Sequence, residues 1–228
     1  MKEWIKSELL SRNKALVHGF STRVFSSNLK ETARAFNLDA IFTLKQVHSS
    51  HVITLHKRNP KDSRRVEGDA LVTSLRRLGV GIFTADCVPI LLAAQDGSLS
   101  AAVHAGWRGT LLGVSKAALS CMKHHFGVNP SGIYAALGPS IGGCCYEVGE
   151  EVTRLFREGF KNHTRFLVKK GDGKYLLDLQ EINQRILLAE GVEEVEVIGI
   201  CTKCNENFHS YRRDGARAGR QLSFIGLL

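Results

Sequence analysis

Long apolar runs are missing from this chain: nothing in its 228 residues approaches the roughly 20 consecutive apolar positions that a membrane-spanning helix needs. The opening segment, Met1-Lys-Glu-Trp-Ile-Lys-Ser-Glu-Leu-Leu10, interleaves charge with apolar side chains and lacks the unbroken apolar core of a secretory signal. Internal repeats and low-complexity tracts are also absent, which argues against solenoids and disordered tails. The formal charge is +9, yet Lys and Arg are scattered apart from a cluster between Arg212 and Arg220, and no basic stripe is interleaved with aromatics. These absences lead to the expectation of a cytoplasmic protein with no membrane and no nucleic-acid partner, its positive charge serving an anionic small substrate or solubility. Six cysteines in such a chain read as thiols or ligands and not as a disulfide framework.

What is present is an ordinary globular composition, 43% hydrophobic and 23% charged. The length suits one mixed α/β domain over residues 1–228 with a core that needs no staples. The stretch from Thr84 to Thr110 organises the chain. It contains two apolar strands joined by Gln95-Asp96-Gly97-Ser98, and Asp-Gly between apolar runs is a strong hairpin signal. Cys87 enters the first strand and His104 leaves the second, so a hairpin sets the two side by side.

Around this hairpin the pattern predicts a short amphipathic helix over 2–12, a strand running into a loop at His18 to Arg23 with His18 a loop histidine, and a helix from Glu31 to Leu38 capped by Asn28. Strands are predicted over 42–48, 51–56, 67–73 and 78–84, with Lys57 to Arg65 a charged loop. Beyond the hairpin come a helix over 111–126 ending at Gly127, a strand over 133–137, helices over 150–160 and 179–189, a strand over 195–200 and a closing apolar strand.

Polar, Gly-containing segments follow several of these strands, the usual place for function on a rigid scaffold. If His48 joins Cys87 and His104, the set offers two imidazoles and a thiolate with one position open, as a catalytic zinc site does. The alternative is an inert thiol beside satisfied core histidines. Cys201-Thr-Lys-Cys204 has the spacing of half a structural zinc site but no second pair in evidence, so it reads as two thiols at a strand end, as does Cys144-Cys145. Trp107 reads as a core plug. Arg212, Arg213, Arg217 and Arg220 either clamp phosphate or form a solvated face.

Six motifs together resemble the YfiH/laccase-domain family, once described as multicopper polyphenol oxidases: Lys45-Gln-Val-His48, Gly68-Asp-Ala-Leu-Val-Thr73, Thr84-Ala-Asp-Cys-Val-Pro89, His104-Ala-Gly-Trp-Arg-Gly109, Gly138-Pro-Ser-Ile-Gly-Gly-Cys-Cys-Tyr-Glu-Val148 and Ser210-Tyr-Arg-Arg-Asp-Gly215. They occur in the family's order and span nearly the whole chain. The resemblance implies a central mixed β-sheet flanked by helices. It also implies a zinc-dependent purine nucleoside phosphorylase acting on adenosine and inosine, with methylthioadenosine a further substrate and adenosine deamination a second activity. The family's metal ligands fall on His48, Cys87 and His104.

Beside the ligands, Asp86 and Glu147 are expected as proton carriers, and Arg108, Arg212 and Arg213 as holders of phosphate; Cys87 and His104 count as catalytic as well as ligating. Two departures stand out. The Gly-Gly-containing loop usual after Ser-Thr-Arg is replaced by Ser21-Thr-Arg-Val-Phe-Ser-Ser-Asn-Leu29, and the repeated His-x-His clusters of several copper centres are missing. Copper is a second candidate cofactor. The rival activities are a Cys87–His104 amidase editing peptidoglycan precursors and a copper-dependent phenol oxidase; a basic nucleic-acid module is the non-enzymatic alternative.

Overall fold

A computed structural model describes residues 3–24, 28–56 and 66–228. In chain order these residues form β1 (Trp4–Ile5), β2 (Leu16–Ser21), α1 (Leu29–Ala35), β3 (Ala40–Phe42), β4 (Val52–Leu55), β5 (Ala70–Thr73), β6 (Leu78–Thr84), β7 (Val88–Ala94), β8 (Ser100–Ala105), α2 (Trp107–Leu111) and α3 (Val114–Phe126). They continue with β9 (Ile133–Leu137), β10 (Glu147–Val148), α4 (Glu150–Gly159), β11 (Leu167–Gly171), β12 (Lys174–Leu177), α5 (Leu179–Ala189), β13 (Glu194–Val197), α6 (Tyr211–Asp214) and β14 (Gln221–Leu227).

The mixed α/β class expected from sequence holds, but the strands are shared among several sheets. One has six strands in the order β13-β9-β7-β8-β5-β4, a second has five in the order β1-β2-β14-β6-β3, and β10-β12-β11 form a small third. Strand β7 shows how the large sheets stack. Its side chains alternate, Ile90 and Leu92 joining the core beneath α3 and α5, Leu91 and Ala93 facing the five-stranded sheet. Burial on both faces is why β7 reads as an unbroken apolar run and not as an alternating one. A separate cluster of Ala33, Leu38, Ile41, Leu222 and Phe224 closes the outer face of the five-stranded sheet under α1.

Several boundaries depart from the sequence reading for identifiable reasons. The expected N-terminal helix is the edge strand β1 followed by a single helical turn at Leu10–Arg12. A short isolated helix is marginal, whereas Trp4 gains edge contacts with Phe36 and Phe224 at 5.3 Å, and Glu196 accepts from the Leu9 amide at 2.8 Å and the Ser7 hydroxyl at 2.5 Å. His18 is no loop residue: it is buried within β2. The expected strand over 42–48 stops at Phe42, because the backbone then turns to wrap a carboxylate, with His48 in the left-handed region at φ 59°. The single helix expected over 111–126 is two, α2 and α3, separated where Gly113 adopts φ 76°. Strand β13 ends at Val197, before a left-handed Gly199. The charged loop expected over 57–65 lies outside the described residues.

Candidate metal centre and its pocket

Hairpin register brings the first two site residues together. Strands β7 and β8 pair with Val88 opposite Ala105 and Pro89 opposite His104, so Cys87 sits at the mouth of the hairpin beside His104. On the other side of β8, Ala70 of β5 lies opposite Val103, which places Asp69 next to His104. His48 is brought in by Asp69. Its Oδ1 accepts the His48 amide at 3.0 Å, and Oδ2 accepts the amides of Val47 and Ser49 at 3.3 and 2.6 Å and the Ser49 hydroxyl at 2.7 Å. One buried carboxylate thus shapes the turn that presents His48.

Asp69 also fixes His104, taking a hydrogen bond of 2.8 Å from Nδ1 at Oδ1. That bond turns Nε2 away from the carboxylate, the orientation of a ligating imidazole whose other nitrogen a carboxylate holds, and the Nε2 proton would leave when a cation binds. The ligand atoms of His48, Cys87 and His104 lie within 4.8 Å of one another, with Cys87 Sγ 3.9 Å from His48 Nε2 and the two rings 4.9 Å apart. Two imidazoles and a thiol at this separation fit a borderline-soft divalent cation with a fourth position open.

The electrostatics agree with that use. Burial is the largest influence on Cys87 and pushes its thiol up, but the neighbouring imidazoles of His104 and His48 outweigh it and bring the pKa to about 6. For His104 burial again comes first and pulls down, and Asp69 and the Cys87 sulfur override it, raising the pKa to about 9. Asp69 itself feels burial most, yet the hydrogen bonds from His104 and Ser49 hold its carboxyl well below the ordinary carboxylate range.

Above the three ligands lies a cavity of about 430 Å³, within the roughly 300–1,000 Å³ of small-molecule sites. Phe83, Tyr146 and Tyr211 provide aromatic surface, and Arg212 and Arg220 provide positive charge. Gln46 secures one wall by pairing both ends of its amide with the Phe83 backbone, each at 2.8 Å. Asp86, at φ 94°, secures another: Oδ1 accepts the Thr202 hydroxyl at 2.7 Å and Oδ2 the Arg212 amide at 2.6 Å.

Other expected site residues are placed differently. Glu147 is not among the residues lining the cavity; Lys170 and Lys174 hold it in ion pairs of 2.9 and 3.1 Å and lower its pKa to about 2. Arg213 directs its guanidinium to Asp214 and to the carbonyls of Thr202 and Phe208, bracing the 202–214 segment, and is not among the residues lining the cavity. Arg108 is exposed over the Trp107 ring at 4.5 Å and also lies off the cavity, while Trp107 packs against the core as expected. Asp86 lines the cavity, but both of its oxygens are engaged, which suits positioning better than proton transfer. Asp69 and Gln46 lie within Gly68-Asp-Ala-Leu-Val-Thr73 and Lys45-Gln-Val-His48, where the motif alone assigns neither a role. A carboxylate opening a strand next to a suspected ligand histidine was the available signal.

The profile of the family described as multi-copper polyphenol oxidoreductase laccase matches residues 9–228. A purine nucleoside phosphorylase of Clostridium acetobutylicum is 38% identical over 207 residues, 90% of this chain and 84% of its own length. An adenosine deaminase from an unknown prokaryotic organism is 36% identical over 199 residues, 83% of this chain and 76% of its own length. Among solved structures, YlmD from Geobacillus stearothermophilus superposes with a TM-score of 0.87 at 29% identity, covering 99% of this chain and 96% of that one. On the match along nearly its whole length and on these relatives, the chain belongs to the YfiH/laccase-domain family of multi-copper polyphenol oxidoreductase laccase proteins.

Proposed function

We propose that this chain is a single-domain, zinc-dependent purine nucleoside phosphorylase acting on adenosine, inosine and methylthioadenosine, with adenosine deamination as a second activity. The observation that carries the reading is the convergence of His48, Cys87 and His104 on the floor of a cavity walled by aromatic rings and arginines. The names of the relatives favour the same chemistry.

In phosphorolysis a phosphate oxygen bonds to C1′ of the ribose as the C1′–N9 bond breaks, and the electron pair leaves with the purine, which takes up a proton. The residues here suit the binding and orienting parts of that reaction. Phe83, Tyr146 and Tyr211 offer faces for a flat heterocycle. Arg212 and Arg220 offer the positive charge that a phosphate dianion requires. Tyr146 keeps its proton at neutral pH, because burial first and the adjacent Cys87 sulfur next raise its pKa to about 12; its hydroxyl is therefore a hydrogen-bond donor. When bound at the three ligands, zinc supplies Lewis acidity and positive charge at the cavity floor.

Copper also fits the same three donors, but the two ligand clusters among the described residues lack the many histidines of a multicopper centre. No helix among the described residues is long and apolar enough to cross a membrane, and a cytoplasmic setting with small-molecule partners and no nucleic acid suits both that and the free thiols.

Replacing Cys87 with Ala tests the assignment. The variant is expected to lose the metal of this site and nucleoside turnover together. A variant that has lost this metal and still cleaves adenosine would overturn it.

A further inference from the structure

The fold joins two cysteine pairs that lie far apart in sequence. Ser140 and Cys201 form an isolated parallel bridge, with the Ser140 amide donating to the Ile200 carbonyl at 3.2 Å and the Thr202 amide to the Ser140 carbonyl at 2.9 Å. This lays the loop after β9 against the segment after β13. The missing second pair for Cys201-Thr-Lys-Cys204 is thereby supplied by Cys144-Cys145: all four sulfurs lie within 4.8 Å of one another. The two pairs were expected to be unrelated thiols, because nothing in the spacing links loops more than fifty residues apart.

We propose that Cys144, Cys145, Cys201 and Cys204 form a second metal site, a four-thiolate site for zinc, separate from the His48, Cys87 and His104 centre and sharing no residue with it. A tetrahedral ion with Zn–S bonds of about 2.3 Å separates its sulfurs by about 3.8 Å. Cys144 Sγ lies 3.8 Å and Cys145 Sγ 3.2 Å from Cys204 Sγ, so small rotations about the Cα–Cβ bonds suffice to seat an ion. The backbone is arranged for thiolate: the Gly142 amide donates to Cys201 Sγ at 3.3 Å, and the Cys204 amide is directed to the same sulfur. Such N–H donors stabilise sulfur anions in C-x-x-C turns.

Without a cation the cluster is electrostatically frustrated. Four thiolates cannot coexist at these distances, but a divalent cation neutralises half their charge and releases their protons on binding. The site also has a mechanical consequence. Thr202, between two of the ligands, bonds Asp86, and Tyr146, next to Cys145, lines the cavity. A bound ion would lock two loops that build one wall of the pocket.

The proposal does not depend on the phosphorylase reading, and the test separates them. Full-length protein purified under reducing conditions should contain about two zinc ions per chain. Cys87→Ala should retain about one, and after exchange with cobalt should show the strong sulfur-to-cobalt charge-transfer and red-region d–d bands of a four-thiolate site. The double variant Cys144→Ser, Cys204→Ser should lose those bands and keep the metal of the other centre. On the unmodified protein, the exposed Cys144 and Cys204 should resist a thiol reagent until a chelator is added, a readout independent of how any variant folds. Absence of the cobalt bands in Cys87→Ala would overturn the proposal. So would immediate reaction of all four thiols before chelation, or a Cys145–Cys204 disulfide in the reduced, zinc-supplied protein.

Discussion

His104 and Asp69 are joined by a buried hydrogen bond of 2.8 Å between Nδ1 and Oδ1. The same carboxylate gathers the amides of Val47, His48 and Ser49, so two of the three candidate metal ligands depend on one acidic side chain. Asp69→Asn keeps the volume but cannot accept at both ends. Either His104 or the 47–49 turn loses its partner. Zinc affinity at this centre should fall about 10–100-fold, and stability by about 1–3 kcal/mol for the unsatisfied buried donor. Competition with a chromophoric chelator and denaturant melts measure the two effects. Unchanged zinc affinity would show that His104 needs no orienting partner.

Gly106 follows β8 and begins the turn into α2. A Cβ there would stand 2.9 Å from His48 Cδ2 and 3.0 Å from Cys87 Sγ, with ordinary backbone angles, so its effect is purely steric. Gly106→Ala should push the ligands apart and weaken zinc binding about 5- to 150-fold, the equivalent of a typical overpacking cost of about 1–3 kcal/mol. Gly132→Ala, which meets only open space, serves as the control. Equal zinc affinities in the two variants would contradict the placement of His48 and Cys87 against Gly106.

A pH effect on stability should come from His18. Burial, and after it the Lys6 ammonium, lower its pKa to about 4, and Nε2 accepts the Ser7 amide at 3.0 Å. In the unfolded chain the residue titrates near 6.5, so as pH falls the unfolded state takes the proton first. The contribution of His18 is complete above about pH 6.5 and is lost as pH drops toward 4, by at most about 3 kcal/mol. His18→Gln should flatten the pH dependence of urea unfolding across that window. An unchanged slope would mean that His18 is protonated in the folded protein.

Much of this was legible in the sequence where local signals agree with tertiary ones. Strands β6 and β9 and helix α5 run over the residues the pattern indicates, and Asn28 and Asp178 cap α1 and α5 by accepting amide hydrogens. The hairpin of β7 and β8 was equally plain, and with it the neighbourhood of Cys87 and His104. What escaped depends on distant partners. Trp4 and Ile5 have helical spacing but pair with β2, and His48 leaves the strand pattern because Asp69, twenty-one residues on, captures its backbone. Nothing in the motif around Glu147 signals Lys170 and Lys174, which come across from β11 and β12 to pair with it. The two cysteine pairs become a cluster only through the bridge between Ser140 and Cys201.

The most direct measurement takes protein of known zinc content, incubates it with adenosine in the presence and absence of phosphate, and separates adenine, inosine, hypoxanthine and ribose-1-phosphate by chromatography. The account predicts adenine and ribose-1-phosphate only when phosphate is present, loss of both on chelation, and recovery when zinc is returned. Protein that holds zinc at His48, Cys87 and His104 and releases no base in the presence of phosphate would contradict it.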